Sequence, residues 1–107
     1  MSNILTNTGD TYLIYLDYPL TGISQIFGYQ EEVSGVNNNL TREFRYTLDL
    51  LNWTDWEFLS DIELQKIDIN KTQDFNIQFR YTKTDDVDTI DICWLKLTTQ
   101  AIEVDSF

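Results

Sequence analysis

Between Glu43 and Ser60 the chain reads EFRYTLDLLNWTDWEFLS, and this stretch restricts the fold more than any other. Phe44, Tyr46, Leu48 and Leu50 fall on one parity, with Glu43, Arg45, Thr47 and Asp49 on the other, which is the period of a half-buried strand. Asn52 lies in a short break, and Thr54, Trp56 and Phe58 begin a second run, so the stretch predicts an antiparallel hairpin rich in large rings. Such rings bury much apolar surface per residue, which gives a small sheet its anchor.

The rest of the chain repeats the pattern. Thr11 to Tyr18 (TYLIYLDY) is apolar on both parities, as expected of a strand buried on both faces or covered by a partner subunit. Pro19 and Gly22 then give a turn, and Ile23 to Tyr29 reads as a strand. Gln30 to Leu40, with Ser-Gly and three asparagines, reads as a long exposed loop. Ser60-Asp61-Ile62-Glu63 has the form of a helix N-cap, but the segment gives way to a polar run by Asp68, so at most one short helical turn is expected near 61–67. Phe75, Ile77, Phe79 and Tyr81 alternate with polar residues as the cleanest strand. From Ile90 to Leu97 the apolar parity changes near Cys93, which predicts a bulge or burial on both sides.

Short strands joined by turns, with almost no helical period, predict an all-β antiparallel sandwich of about seven strands over residues 11–98. Residues 1–10 read as a flexible N-terminal arm and 99–107 as a C-terminal tail, each ordered only where a neighbour holds it. With 107 residues, 42% of them hydrophobic, the chain buries roughly two thirds of its unfolded surface, enough for one core. The tryptophans Trp53 and Trp94 are expected in that core, between the sheets.

Chemistry is poorly provided for. The chain has no histidine, no serine in a nucleophile elbow and one cysteine, Cys93, which reads as a buried free thiol. No cofactor and no metal is expected. The acidic run Asp85, Asp86, Asp88 and Asp91 offers oxygens for a calcium loop but lacks the glycine and closing glutamate of one, and reads as a solvated turn. A net charge of −11 argues against nucleic acid as a partner, because phosphate backbones are bound by basic surfaces. No apolar run of membrane-spanning length and no basic-then-apolar leader is visible, so no membrane association is expected.

Three segments carry a resemblance: Tyr46-Thr47-Leu48-Asp49, then Asn52-Trp53-Thr54-Asp55-Trp56, then Phe75-Asn76-Ile77-Gln78-Phe79-Arg80-Tyr81. Over residues 43–82 the pattern resembles the fibronectin type III-like and immunoglobulin-like sandwich modules of tailed-bacteriophage virion proteins. It departs from them where Leu50 and Leu51 stand in place of an Asp-Gly turn. The resemblance implies a non-enzymatic structural component of a capsid, neck, tail or baseplate, made in the host cytoplasm and built into the virion, with the capsid surface second to the other positions because the negative charge repels packaged DNA, and it implies no catalytic residue. Its partners would be other virion proteins and copies of itself, as a homo-oligomer. Tyr12, Tyr15, Trp56 and Phe107 are the residues expected at such interfaces. Two other classes stay open: a carbohydrate-binding or host-attachment module using Trp56, and an acidic inhibitor that mimics DNA.

Overall fold

The strict alternation after Asp74 builds the centre of one sheet. In the computed structural model, which describes residues 3–35, 39–105 and 107, this segment is β6 (Asn76–Lys83), with Ile77, Phe79, Tyr81 and Lys83 all turned inward and essentially inaccessible. Two strands flank it antiparallel: β2 (Thr11–Tyr15) on one edge and β4 (Leu40–Thr47) on the other. A two-residue strand, β5 (Glu57–Phe58), closes the far side of β4, so the sheet order is β2-β6-β4-β5.

The other sheet is built on β7 (Ile90–Thr99). β3 (Ile26–Ser34) runs antiparallel along one whole edge of it. The opposite edge takes β1 (Ile4–Leu5) at one end and β8 (Glu103–Val104) at the other. The two antiparallel sheets pack face to face as a sandwich, with Phe44, Phe75, Phe79, Tyr81, Ile26, Ile92 and Leu97 among the side chains between them. Large apolar rings and branched chains excluded from water are what hold the layers together.

The parity change near Cys93 is a bulge. Glu32 pairs with Trp94 and Val33 with Ile92, so Cys93 is the extra residue; a second irregularity in the same ladder leaves out Phe27. The bulge turns Cys93 and Trp94 outward together. The expectations of a buried thiol and a core Trp94 are therefore corrected: both are exposed, and phenylalanines from β4 and β6 fill the space instead.

The one helix among the described residues is the expected short one. Ser60 caps α1 (Asp61–Gln65), its hydroxyl accepting from the Glu63 N–H at 3.1 Å, and Leu64 is fully buried.

Four other expectations change. Residues 3–10 are no free arm: Leu5 is buried, and Ile4 and Leu5 pair with Asp91 and Ile90; Met1 and Ser2 lie outside the described residues. The tail is likewise part of the domain, with Val104 buried and the Phe107 ring edge-on to Phe79 at 5.5 Å. Two-residue strands have no period to read, which is why both ends looked unanchored. The loop expected at Gln30–Leu40 is shorter, since Gln30–Ser34 continues β3 and Leu40 opens β4; Val36, Asn37 and Asn38 lie outside the described residues. The expected hairpin after β4 pairs only as Glu43 with Phe58 and Phe44 with Glu57, beyond an isolated Thr47–Trp53 bridge.

A wide loop replaces the second arm of that hairpin. The Asp49 carboxylate accepts from the N–H groups of Leu51 (2.9 Å) and Asn52 (2.8 Å) and from the Asn52 side chain (2.7 Å), which holds Leu50 at φ 65. These donors hold the Asp49 carboxyl well below its ordinary value. The left-handed conformation is the one an Asp-Gly turn would supply with glycine.

Candidate functional site

The strand registers fix a grid on the outer face of the β2-β6-β4-β5 sheet. Its first row is Thr11, Thr82 and Thr41; its second is Leu13, Arg80 and Glu43; its third is Tyr15, Gln78 and Arg45. Side chains directly opposite on one face are neighbours, and two of these pairs are hydrogen-bonded. The Arg80 guanidinium donates to Glu43 Oε1 from Nε (3.0 Å) and Nη2 (2.9 Å), and Arg45 Nε donates to the Gln78 side-chain oxygen at 2.8 Å.

Trp56, just before β5, covers the end of this grid. Its ring centre lies 4.2 Å from the Arg80 guanidinium and 4.7 Å from that of Arg45, and the Trp53 ring lies 5.2 Å from Arg45. Guanidinium planes against indoles are favourable on electrostatic grounds and stiffen both partners. Trp53 is therefore a half-buried outer-face residue and not the core indole expected from the sequence. Thr11, Leu13, Thr41, Glu43, Arg45, Trp56, Arg80 and Thr82 line a shallow groove of about 650 Å³.

The four residues expected at interfaces fall in different places. Trp56 is in the groove. Tyr15, 50% exposed, is at the end of β2 on the same face. Tyr12 points the opposite way, is half-buried, and packs beside Phe107 in the gap between β2 and β7. The structure thus pairs Tyr12 with Phe107 and separates both from Trp56. Phe107 rests on its own core.

The sheet edges are unequal. The free edge of β3 is occupied at one end by α1: the Tyr29 N–H donates to Asp61 Oδ1 at 3.0 Å, and Gln65 Nε2 donates to the Phe27 carbonyl at 2.7 Å. That contact requires Gly28, where a Cβ would lie 2.7 Å from Asp61 Oδ1. β2 ends its sheet with five uncharged residues, no bulge and no partner strand along its outer edge among the described residues. Leu13 (46% exposed), Tyr15 and, just beyond, Tyr18 (71%) project near it.

A polar clip, not legible in the sequence, lies between the sheets on the β3 and β4 side. Glu31 of β3 receives Arg42 of β4 through Nε (2.6 Å) and Nη2 (2.9 Å), and the Tyr81 hydroxyl of β6 donates to the same Oε1 at 2.8 Å. The hydrogen bonds to Glu31 push the Arg42 guanidinium up, and burial pushes the Tyr81 phenol far above its ordinary value, so neither exchanges protons near neutrality. Both Glu31 oxygens are spent on donors, which makes the cluster a fastener between layers and not a general base.

The acidic turn is similarly occupied. Asp85 accepts from the buried Lys83 ammonium at 2.7 Å and from Asn39, and Asp86 accepts from the Thr8 N–H at 2.6 Å. The Lys83 hydrogen bond, then the Val87 N–H, holds the Asp85 carboxyl below its ordinary value. Among the described residues no group of three or more acidic or thiol ligands is arranged to hold a metal ion, and no helix is long and apolar enough to cross a membrane.

Comparison with protein-family models, with curated proteins and with solved structures gives no match to the chain.

Proposed function

We propose that this protein is a non-enzymatic structural module that acts by protein–protein contact and assembles with copies of itself through the outer edge of β2. The observation that supports this most is the contrast among its edges: β2 is a five-residue edge strand with no charge, proline or bulge and, among the described residues, no covering helix, the devices by which sheet proteins block pairing with a neighbour.

Antiparallel pairing of two β2 strands about Leu13 sets Leu13 against its symmetry mate and Thr11 against Tyr15. Such an isologous contact must be self-complementary, and in a chain of net charge −11 a neutral strand is where two copies meet without like-charge repulsion. The exposed Leu13, Tyr15 and Tyr18 then gain cover on the flank of the joint. The motif similarity across residues 43–82 supports a setting in the tailed-phage virion, as a neck, tail or baseplate part whose neighbours include other virion proteins. The negative charge favours a place away from packaged DNA.

Sedimentation equilibrium tests the association. The expected result is a concentration-dependent mass above 12.6 kDa that persists in high salt and is lost in Leu13→Lys. A species that stays at 12.6 kDa up to the highest concentration reached overturns it. An antibody raised against the chain tests the setting: it labels the tail region of intact particles, and unlabelled particles overturn that part.

A further inference from the structure

We propose that the groove on the outer face of the β2-β6-β4-β5 sheet binds an acidic oligosaccharide, with a sugar carboxylate on Arg45 and ring hydroxyls on the Arg80–Glu43 pair and on Thr41 and Thr82. This goes beyond self-association and does not depend on it.

Charge points first to an anion. The groove is lined by two arginines and one glutamate, so it is locally positive in a chain of net charge −11. The remaining arginine, Arg42, is committed to Glu31 on the other side of the sheet, and the buried Lys83 to Asp85. An acidic ligand approaching this molecule is repelled by most of the surface and attracted here.

Unspent hydrogen-bonding capacity identifies the chemistry further. Arg45 uses Nε on Gln78, and its two terminal amino groups have no acceptor among the described residues, which leaves the forked edge that matches a carboxylate. Both Arg80 hydrogen bonds fall on Glu43 Oε1, which leaves Glu43 Oε2 as an acceptor and Arg80 Nη1, on the far side of the guanidinium, as a donor. That is the complement of two hydroxyls, each of which donates and accepts. The hydroxyls of Thr41 and Thr82, opposite each other in the first row, likewise have no partner among the described residues.

The shape argues against a peptide. The groove lies on the face of the sheet, and its floor is β6 and β4, whose main-chain groups are turned into the ladder, so a peptide's amides find no backbone pairing on that floor. Contacts must come from side chains, and those present are hydroxyls, a carboxylate and guanidiniums, with Leu13 and the edge of Trp56 for the C–H faces of a sugar ring. Trp56 and both arginines are held against one another before any ligand arrives, which lowers the cost of ordering them.

The test is calorimetric titration of the intact chain with a trigalacturonate, a neutral oligosaccharide of equal length, and oligoglutamate. The expected result is saturable binding of the trigalacturonate, accompanied by a change in tryptophan emission. Arg45→Gln weakens it about tenfold, the value of a lost charge-assisted hydrogen-bond pair, and the Thr41→Val/Thr82→Val double variant weakens it about threefold at an unchanged thermal midpoint. If Arg45→Gln fails to fold, because Trp53 and Trp56 rest on it, the threonine variant and the ligand panel carry the test. No saturable binding of the uronate, equal binding of oligoglutamate, or full binding by the threonine variant overturns the proposal. Oligomer mass plays no part in this readout, so the two proposals fail separately.

Discussion

β2 and β3 are both edge strands, one per sheet, and they are built in opposite ways. β3 carries Glu31 and Glu32, two irregularities in its ladder, and a helix whose Asp61 and Gln65 take up the Tyr29 N–H and the Phe27 carbonyl. β2 carries none of these and reads Thr-Tyr-Leu-Ile-Tyr. An unpaired strand edge is a template for another strand, and most edges in stable proteins are blocked. One edge is blocked by several independent devices and the other is left open, and the proposed self-association rests on that contrast.

The comparison is broken most severely at the clip beneath β3. Glu31→Ala removes the acceptor for Arg42 and for the fully buried Tyr81 hydroxyl, leaving Arg42 only the Tyr81 ring at 5.5 Å. Stability measured by urea unfolding is expected to fall by about 2–3 kcal/mol; a loss below about 0.5 kcal/mol means that the clip does not hold the sheets. Gly28→Ala is milder. The new Cβ meets Asp61 Oδ1 at 2.7 Å, so Asp61 swings away and the Tyr29 N–H loses its acceptor. About 1 kcal/mol is lost, and β3 becomes a second open edge, seen as added association by light scattering. Unchanged scattering counts against α1 as a guard.

Leu13→Lys sharpens the comparison from the other side by giving β2 the charge that β3 already has. Its exposed position holds the change in stability to within about 0.5 kcal/mol while the assembly falls to single chains. Acid gives the smallest effect. Asp10 accepts from the Asn7 and Thr6 N–H groups and Asp85 from Lys83, and both carboxyls are held below their ordinary value of 3.8. Both lie at the head of β2, where the Lys83 N–H donates to the Asp10 carbonyl and the Lys83 carbonyl accepts from the Gly9 N–H. Folded carboxyls with depressed values bind protons later than unfolded ones, so their stabilisation is complete above 3.8 and is lost as pH falls through the folded values. Amide exchange of Thr11 to Leu13 is expected to quicken below that point before exchange in β3 does. The reverse order contradicts the assignment.

How much of this was legible before folding depended on period. β6 was plain because Phe75 to Tyr81 alternates without a break, and the cap at Ser60 and the irregularity at Cys93 were readable from local order. The second half of β3 was not, because QEEVS carries charge on both parities, and Glu31 turns inward only because Arg42 and Tyr81 from the other sheet receive it. Trp94 was misplaced for a related reason: one extra residue at position 93 reverses its direction, and composition has no record of the reversal. Trp56 stood out as an indole flanked by acids. Its partners Arg45 and Arg80 lie 11 and 24 positions away, and only the pairing of β4 with β6 makes them neighbours.

The bulge in β7 also has a practical consequence. It presents the sulfur of Cys93, the sole thiol of the chain, to solvent on the flank where Tyr12 of β2 also lies. A maleimide dye or nitroxide attached there marks one point per polypeptide with no residue exchanged. The separation between two such tags reports directly how neighbouring copies are oriented.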